Sequence, residues 1–162
     1  MELNLPSLPK WQLRQHAGKL QIWDPVRRNW MVLTPEEWVR QHVLSFLMRQ
    51  KQTPRVCIGV EKEVRGGSGP PGRFDVAVWH PARGQMLLLV ECKAPQTSIN
   101  KDMALQIARY NARMHALALW LTNGYDHRML IWSTGAGRYD AVNELPDYIT
   151  LKKMSEAGFD SR

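Results

Sequence analysis

The sequence predicts a mixed fold of the α/β (α+β) class, a sheet flanked by helices in the order α-β-β-β-α-β, behind an N-terminal β meander. Three observations carry that expectation. Residues 34–54 combine a capping pattern with helical spacing of apolar side chains. The stretches 73–79, 85–93 and 117–121 are short apolar runs bounded by turn residues. A second capped segment, from Ser98 or Asn100 to about His115, precedes the last of these runs. At 162 residues, with 44% apolar and 23% charged, the chain suits one domain spanning 1–162, and global disorder is excluded.

The meander occupies residues 10–33. WQLRQ and LQIW flank His16-Ala17-Gly18-Lys19 as a hairpin, and Asp24-Pro25 with Arg27-Arg28-Asn29 marks the turn before WMVL. Strands this short bury little alone, so the meander is expected to pack on the main body. Trp11, Trp23, Trp30 and Trp38 are expected as its core rather than as a platform for bases. The core follows in residues 34–135. Thr34-Pro35-Glu36-Glu37 supplies an N-cap, a proline at the first helical position and a glutamate at the third; Val39, Val43, Phe46 and Leu47 continue at helical spacing until Pro54. RVCIGVEKEV (55–64) reads as one strand and GGSGPPG (66–72) as a hairpin loop without the spacing of a phosphate-binding loop. RFDVAVW (73–79) and QMLLLVECK (85–93) read as partners across a turn at 80–84, and RMLIWS (128–133) as a further strand. Residues 136–162 are expected as a peripheral tail.

A formal charge of +7 and a pI near 9.7 ask for a polyanionic partner. Cys57 and Cys92 lie inside apolar runs, where reduced, buried thiols are expected rather than a secreted disulfide framework. The start MELNLPSLPKWQL has no apolar stretch behind a basic one, and no segment approaches the ~20 residues of a membrane span. A cytoplasmic protein without membrane contact is the expectation.

The hairpin of residues 73–93 carries the chemistry. With its turn centred on Ala82, Asp75 lies opposite Leu89 and Arg73 opposite Glu91, so Asp75, Glu91 and Lys93 share one face, the two carboxylates as diagonal neighbours. A slip of one residue would separate them. Two carboxylates among Val, Leu, Phe and Trp repel each other and cost desolvation, and a divalent cation removes both penalties. Hard oxygen donors favour Mg²⁺ or Mn²⁺ over zinc. Lys93 beside a metal-bound water suits phosphodiester hydrolysis, and the basic surface suits the polymer that carries such bonds. The bland alternative is a Glu91–Lys93 ion pair, worth well under ~1 kcal/mol if exposed.

Phe74-Asp75, fifteen intervening residues and then Glu91-Cys92-Lys93 resemble the D…(D/E)xK signature of the PD-(D/E)xK nuclease superfamily, with Phe74 where a proline is usually written. IWDPVRRNW, TPEEWVRQHVLSFL, RFDVAVW, LLLVECKAP, QIARYN and LTNG are together similar to the N-terminal nuclease domain of type I restriction enzyme R subunits, over about residues 20–135. The resemblance implies a restriction-endonuclease-like αβββαβ core. It also implies that Asp75 and Glu91 bind Mg²⁺ (or Mn²⁺), that Lys93 assists the water, and that Gln106 and Tyr110 match the supporting QxxxY element. The chain lacks the GxxxxGK[ST] loop of a motor, so translocation would fall to other chains.

Glu37 has two open readings: a further carboxylate near a second metal position, or the third residue of a capping box. Glu36 is expected toward solvent; Glu61 and Glu63 lie on the adjacent strand, where either could face the site, with an ordinary exposed strand face the preferred reading. Arg73, Arg27, Arg28 and the pair Lys152-Lys153 are candidate phosphate contacts. The five histidines show no metal-ligand spacing. The functional expectation is a metal-dependent DNA endonuclease in restriction or defence, acting alone or with a helicase/translocase or DNA-recognition subunit. The alternative is a non-cleaving nucleic-acid-binding or assembly module that keeps the fold.

Overall fold

The computed structural model describes residues 2–5, 10–61, 63–64, 72–100, 103, 107, 111 and 114–158; the side chains of 63, 64, 72 and 73 lie outside that description. Three antiparallel strands come first, β1 (Leu13–His16), β2 (Lys19–Asp24) and β3 (Asn29–Val32). Ala17 and Gly18 turn the first hairpin with φ of 49° and 71°, the left-handed pair that suits the twist of a two-residue connection. Trp11, Trp23, Trp30 and Trp38 are all half-exposed. They do not form a common buried core: Trp23 and Trp30 pair on the meander, whose first strand is exposed along its whole length, whereas Trp11 packs on Trp38, which lies against the main core.

Helix α1 (Pro35–Arg49) starts as its pattern predicts: the Thr34 side chain accepts from the Glu37 backbone N–H at 3.0 Å. Val39, Val43, Leu44 and Leu47 form its buried face. The stretch 55–64 is not one strand. A 3₁₀ turn (Arg55–Cys57) leads into β4 (Ile58–Val60), and Glu61, with φ of 46°, breaks the chain before β5 (Glu63–Val64). The stretch 73–79 breaks correspondingly, into β6 (Gly72–Arg73) and β7 (Val76–Trp79). β5 and β6 pair with each other as a separate ribbon, so Arg73 stands opposite Glu63, not Glu91. Most of the glycine-proline loop lies outside the described residues.

β8 (Met86–Cys92), β9 (Ala118–Thr122), β10 (His127–Ser133) and β11 (Arg138–Val142) complete a six-stranded sheet in the order β11-β10-β9-β8-β7-β4. Its one parallel pair, β8 with β9, requires a crossover. Met103, Ile107, Asn111 and Met114, all helical, lie on that crossover. The central strands are buried on both faces, which is why they read as continuous apolar runs. Val76, Val78, Leu88, Val90 and Trp120 face α1, whereas Ala77, Leu89 and Leu119 face Ile107.

Residues 136–158, the described part of the expected tail, are not peripheral. β11 forms an edge of the sheet, and Leu145, together with Tyr148 and Leu151 of helix α2 (Tyr148–Glu156), joins the core on the α1 side. Cys57 and Cys92 are free and buried, as expected, and the Cys57 thiol lies 3.3 Å from the Tyr148 hydroxyl. Among the described residues no helix is long and apolar enough to cross a membrane.

Candidate active site

β7 and β8 pair Val76 with Val90, Ala77 with Leu89 and Val78 with Leu88. One step before the first pair, Asp75 falls level with Glu91. The register therefore differs by two residues from the expected one, partly because Leu87 is an unpaired bulge residue between Val78–Leu88 and Trp79–Met86. The strand alternation breaks at Phe74–Asp75, since Phe74 packs with Ala77 rather than with Val76, and the Asp75 side chain reaches Arg40 and the Cys92 N–H while its charge acts on Glu91. Cys92 points the other way, into the core beside α1, as the alternation requires.

Both Asp75 oxygens are engaged. Oδ2 accepts from the Cys92 backbone N–H at 2.7 Å, and Oδ1 accepts from Arg40 Nη2 at 2.9 Å. Lys93 donates to Glu91 Oε1 at 2.6 Å, and its backbone N–H bonds Thr122 on β9, which fixes the end of β8. Burial, and then the Asp75 charge, raises the Glu91 carboxyl above its ordinary value; the Lys93 bond opposes this without cancelling it. Burial would lower the Lys93 ammonium, but the bond and charge of Glu91 and the charge of Asp75 outweigh it and raise that group. The Cys92 thiol is pushed well up, by burial first and by Asp75 second, so it remains a protonated packing group.

Two arginines organise the surrounding acids. Arg40, 4% exposed, reaches Asp75, Glu36, Glu37 and Glu61 from α1. Burial works against its charge, but Asp75 and Glu37 more than compensate and raise it. Arg27, in the turn after β2, binds Asp24 at 2.6 Å and also holds Glu37 and Glu61. Its guanidinium is thus committed to three carboxylates, while Arg28 beside it is exposed with φ of 53°. Gln41 donates to Asp24 Oδ2 at 2.9 Å and to Glu37 Oε1 at 2.8 Å.

Glu37 is buried and bound through both oxygens, by Arg27 and Gln41 on one and Arg40 on the other, besides sitting on the Thr34 cap. Glu36, expected toward solvent, is half-exposed but bonds Arg40 at 2.9 Å, and its charge acts on Glu91 and Lys93. The structure therefore adds Arg40, Glu36 and Glu61 to the surroundings of Asp75 and Glu91. Arg40 had a sequence signal: it stands three and four residues after Glu37 and Glu36 on one helix face. Strand alternation offered Glu61 and Glu63 alike and favoured an exposed face for both; the inward turn of Glu61 depends on the backbone break after β4. Gln106 and Tyr110 lie outside the described residues, as does the side chain of Arg73.

A mixed six-stranded sheet with α1 on one face, a meander beside it and an acidic cluster at the β7–β8 end defines the class. The fold is similar to a fragment structure of a candidate HsdR subunit of a type I restriction enzyme from Vibrio vulnificus YJ016, with a TM-score of 0.54 and 19% identity over 78% of this chain. This chain spans about a quarter of that one, 26% of its length. Residues 35–146 match the family described as the type I restriction enzyme R protein N terminus, and the chain belongs to that family. No curated protein matches the sequence.

Proposed function

We propose that the chain is a Mg²⁺- or Mn²⁺-dependent DNA endonuclease of the PD-(D/E)xK kind, serving restriction in the cytoplasm. In this reading it supplies the nuclease to an assembly with a helicase/translocase or DNA-recognition subunit. The observation that carries it is the placement of Asp75 level with Glu91, with the Lys93 ammonium on Glu91. The raised Glu91 carboxyl is a sign of unrelieved burial and like charge, which a divalent cation between the two would relieve. Mg²⁺ is commonly held by one or two carboxylates and several waters, so these residues fit it. Bound there, the ion would supply a water of lowered pKa. The Cys92 N–H and Arg40 hold Asp75 in one orientation. Lys93, its proton favoured by Glu91, stays an ammonium near neutral pH; it would place positive charge on a phosphate oxygen or the attacking water rather than accept a proton.

One observation favours the non-cleaving module instead: each carboxylate already bonds a cation of the chain, Asp75 to Arg40 and Glu91 to Lys93. Nicking of supercoiled plasmid in Mg²⁺ separates the two. Wild type should nick, and Lys93→Ala should fall by ~10²-fold or more while folding and binding DNA normally. Equal nicking by both proteins would end the hydrolytic reading. Calorimetry that finds no Mn²⁺ affinity dependent on Asp75 and Glu91 would favour the module.

A further inference from the structure

The meander presents a face that the hydrolytic reading does not use. Trp23 pairs with Trp30, and Gln21 with both Arg14 and Val32, so alternation puts these five side chains on one face. Ile22 and Asp24, on the other, are wholly buried. The two indoles meet edge to face at 5.6 Å and both are half-buried, neither closed off from solvent. The Arg14 guanidinium lies 4.4 Å over Trp30, held by a 2.8 Å bond to Gln21. Trp23 also lines an adjoining cleft of about 240 Å³, together with Trp11 and the exposed Lys10 and Arg49. Gln41 lines the same cleft and bonds Glu37 and Asp24, so the cleft backs directly onto the acidic cluster.

We infer that this face and cleft form a stacking surface for single-stranded DNA, with unpaired bases against Trp23 and Trp30 and phosphates near Lys10, Arg14 and Arg49. Aromatic faces flanked by cations serve any base, but only where bases are out of a duplex stack. Charge selects the partner. Within residues 10–33 the sole carboxylate is Asp24, which is buried and bound by Arg27. A polyanion therefore meets no opposing charge there, whereas a second copy of this face would set arginine and lysine against their like.

The test needs no metal, so a failure of the hydrolytic reading leaves it standing. Binding of a fluorescein-labelled oligo-dT of about 15 nucleotides is followed by anisotropy in EDTA, beside a duplex of equal length. Wild type should bind oligo-dT with quenching of its tryptophan fluorescence. Trp23→Leu and Trp30→Leu should each lose about ten-fold, with duplex binding unchanged, and Trp30→Tyr should recover most of the loss. Circular dichroism checks the fold of each variant. Absence of quenching in wild type, leucine variants that fold and bind oligo-dT normally, or equal losses on duplex would each overturn the inference. So would self-association through this face without oligonucleotide binding.

Discussion

Arg40→Leu should be among the most damaging substitutions on α1, although the residue looks like one more basic group on a helix. The guanidinium is 4% exposed, and it stands among Glu37, also buried, the less buried Asp75 and Glu61, and the half-exposed Glu36. Leucine keeps the apolar stem and removes the charge, leaving these acids to face one another. Deleting one partner of a buried ion pair costs about 3–5 kcal/mol. The low end applies here, about 3 kcal/mol, because Asp75 and Glu61 keep some water and Glu37 retains Arg27 and Gln41. Urea unfolding followed by tryptophan fluorescence would read this as a midpoint lower by ~1.5 M, for a slope of ~2 kcal/mol/M. A double-mutant cycle with Asp75→Asn should give a coupling of ~1 kcal/mol or more, since the two side chains bond at 2.9 Å. A loss below ~1 kcal/mol, or strict additivity with Asp75→Asn, would refute the account of Arg40 as the counter-charge of the cluster.

Two further outcomes can be measured on the same samples. Because the Glu91 carboxyl is raised in the folded chain, its contribution to stability is present below its unfolded value and is lost as pH rises through the folded one. Glu91→Gln, which mimics the protonated form, should therefore raise the urea midpoint at pH 7 without metal and leave it nearly unchanged at pH 4; a lower midpoint at pH 7 would contradict this. Leu151→Ala on α2 should cost about 2–5 kcal/mol if this helix belongs to the core, whereas a peripheral tail would lose under ~0.5 kcal/mol.

The sequence made legible whatever depends on local pattern. The α1 cap needs only Thr34, Pro35 and Glu37 in order, and the parity of Glu91 and Cys92 follows from strand alternation whatever the register. The register itself was not legible, because a bulge at Leu87 has no marker in a run of leucines. The breaks at Glu61 and at Phe74–Asp75 were hidden for a related reason. Glu61 adopts a left-handed φ that its residue type does not announce, and the consequence is a separate β5–β6 ribbon that removes Arg73 from Glu91. The C-terminal helix carries no legible core signal because Leu145, Tyr148 and Leu151 are too few to show a period, yet all three are buried in the core.

The charge arrangement around β7 and β8 also decides what the meander is for. The chain as a whole is basic, with a formal charge of +7, yet among the described residues Asp24, Glu36, Glu37, Glu61, Asp75 and Glu91 gather around Arg27, Arg40 and Lys93. Like charges at such density cost stability unless something offsets them. Arg40 offsets part from within α1. Arg27 offsets a further part, but it sits in the turn between β2 and β3, so its reach to Glu37 and Glu61 is possible only while the meander is docked. The meander is therefore a supplier of charge to the site, not an appendage beside it. Loss of Arg27 would leave Asp24 wholly buried with only Gln41 as its side-chain partner among those described, and would loosen the same helix that aims Arg40 at Asp75.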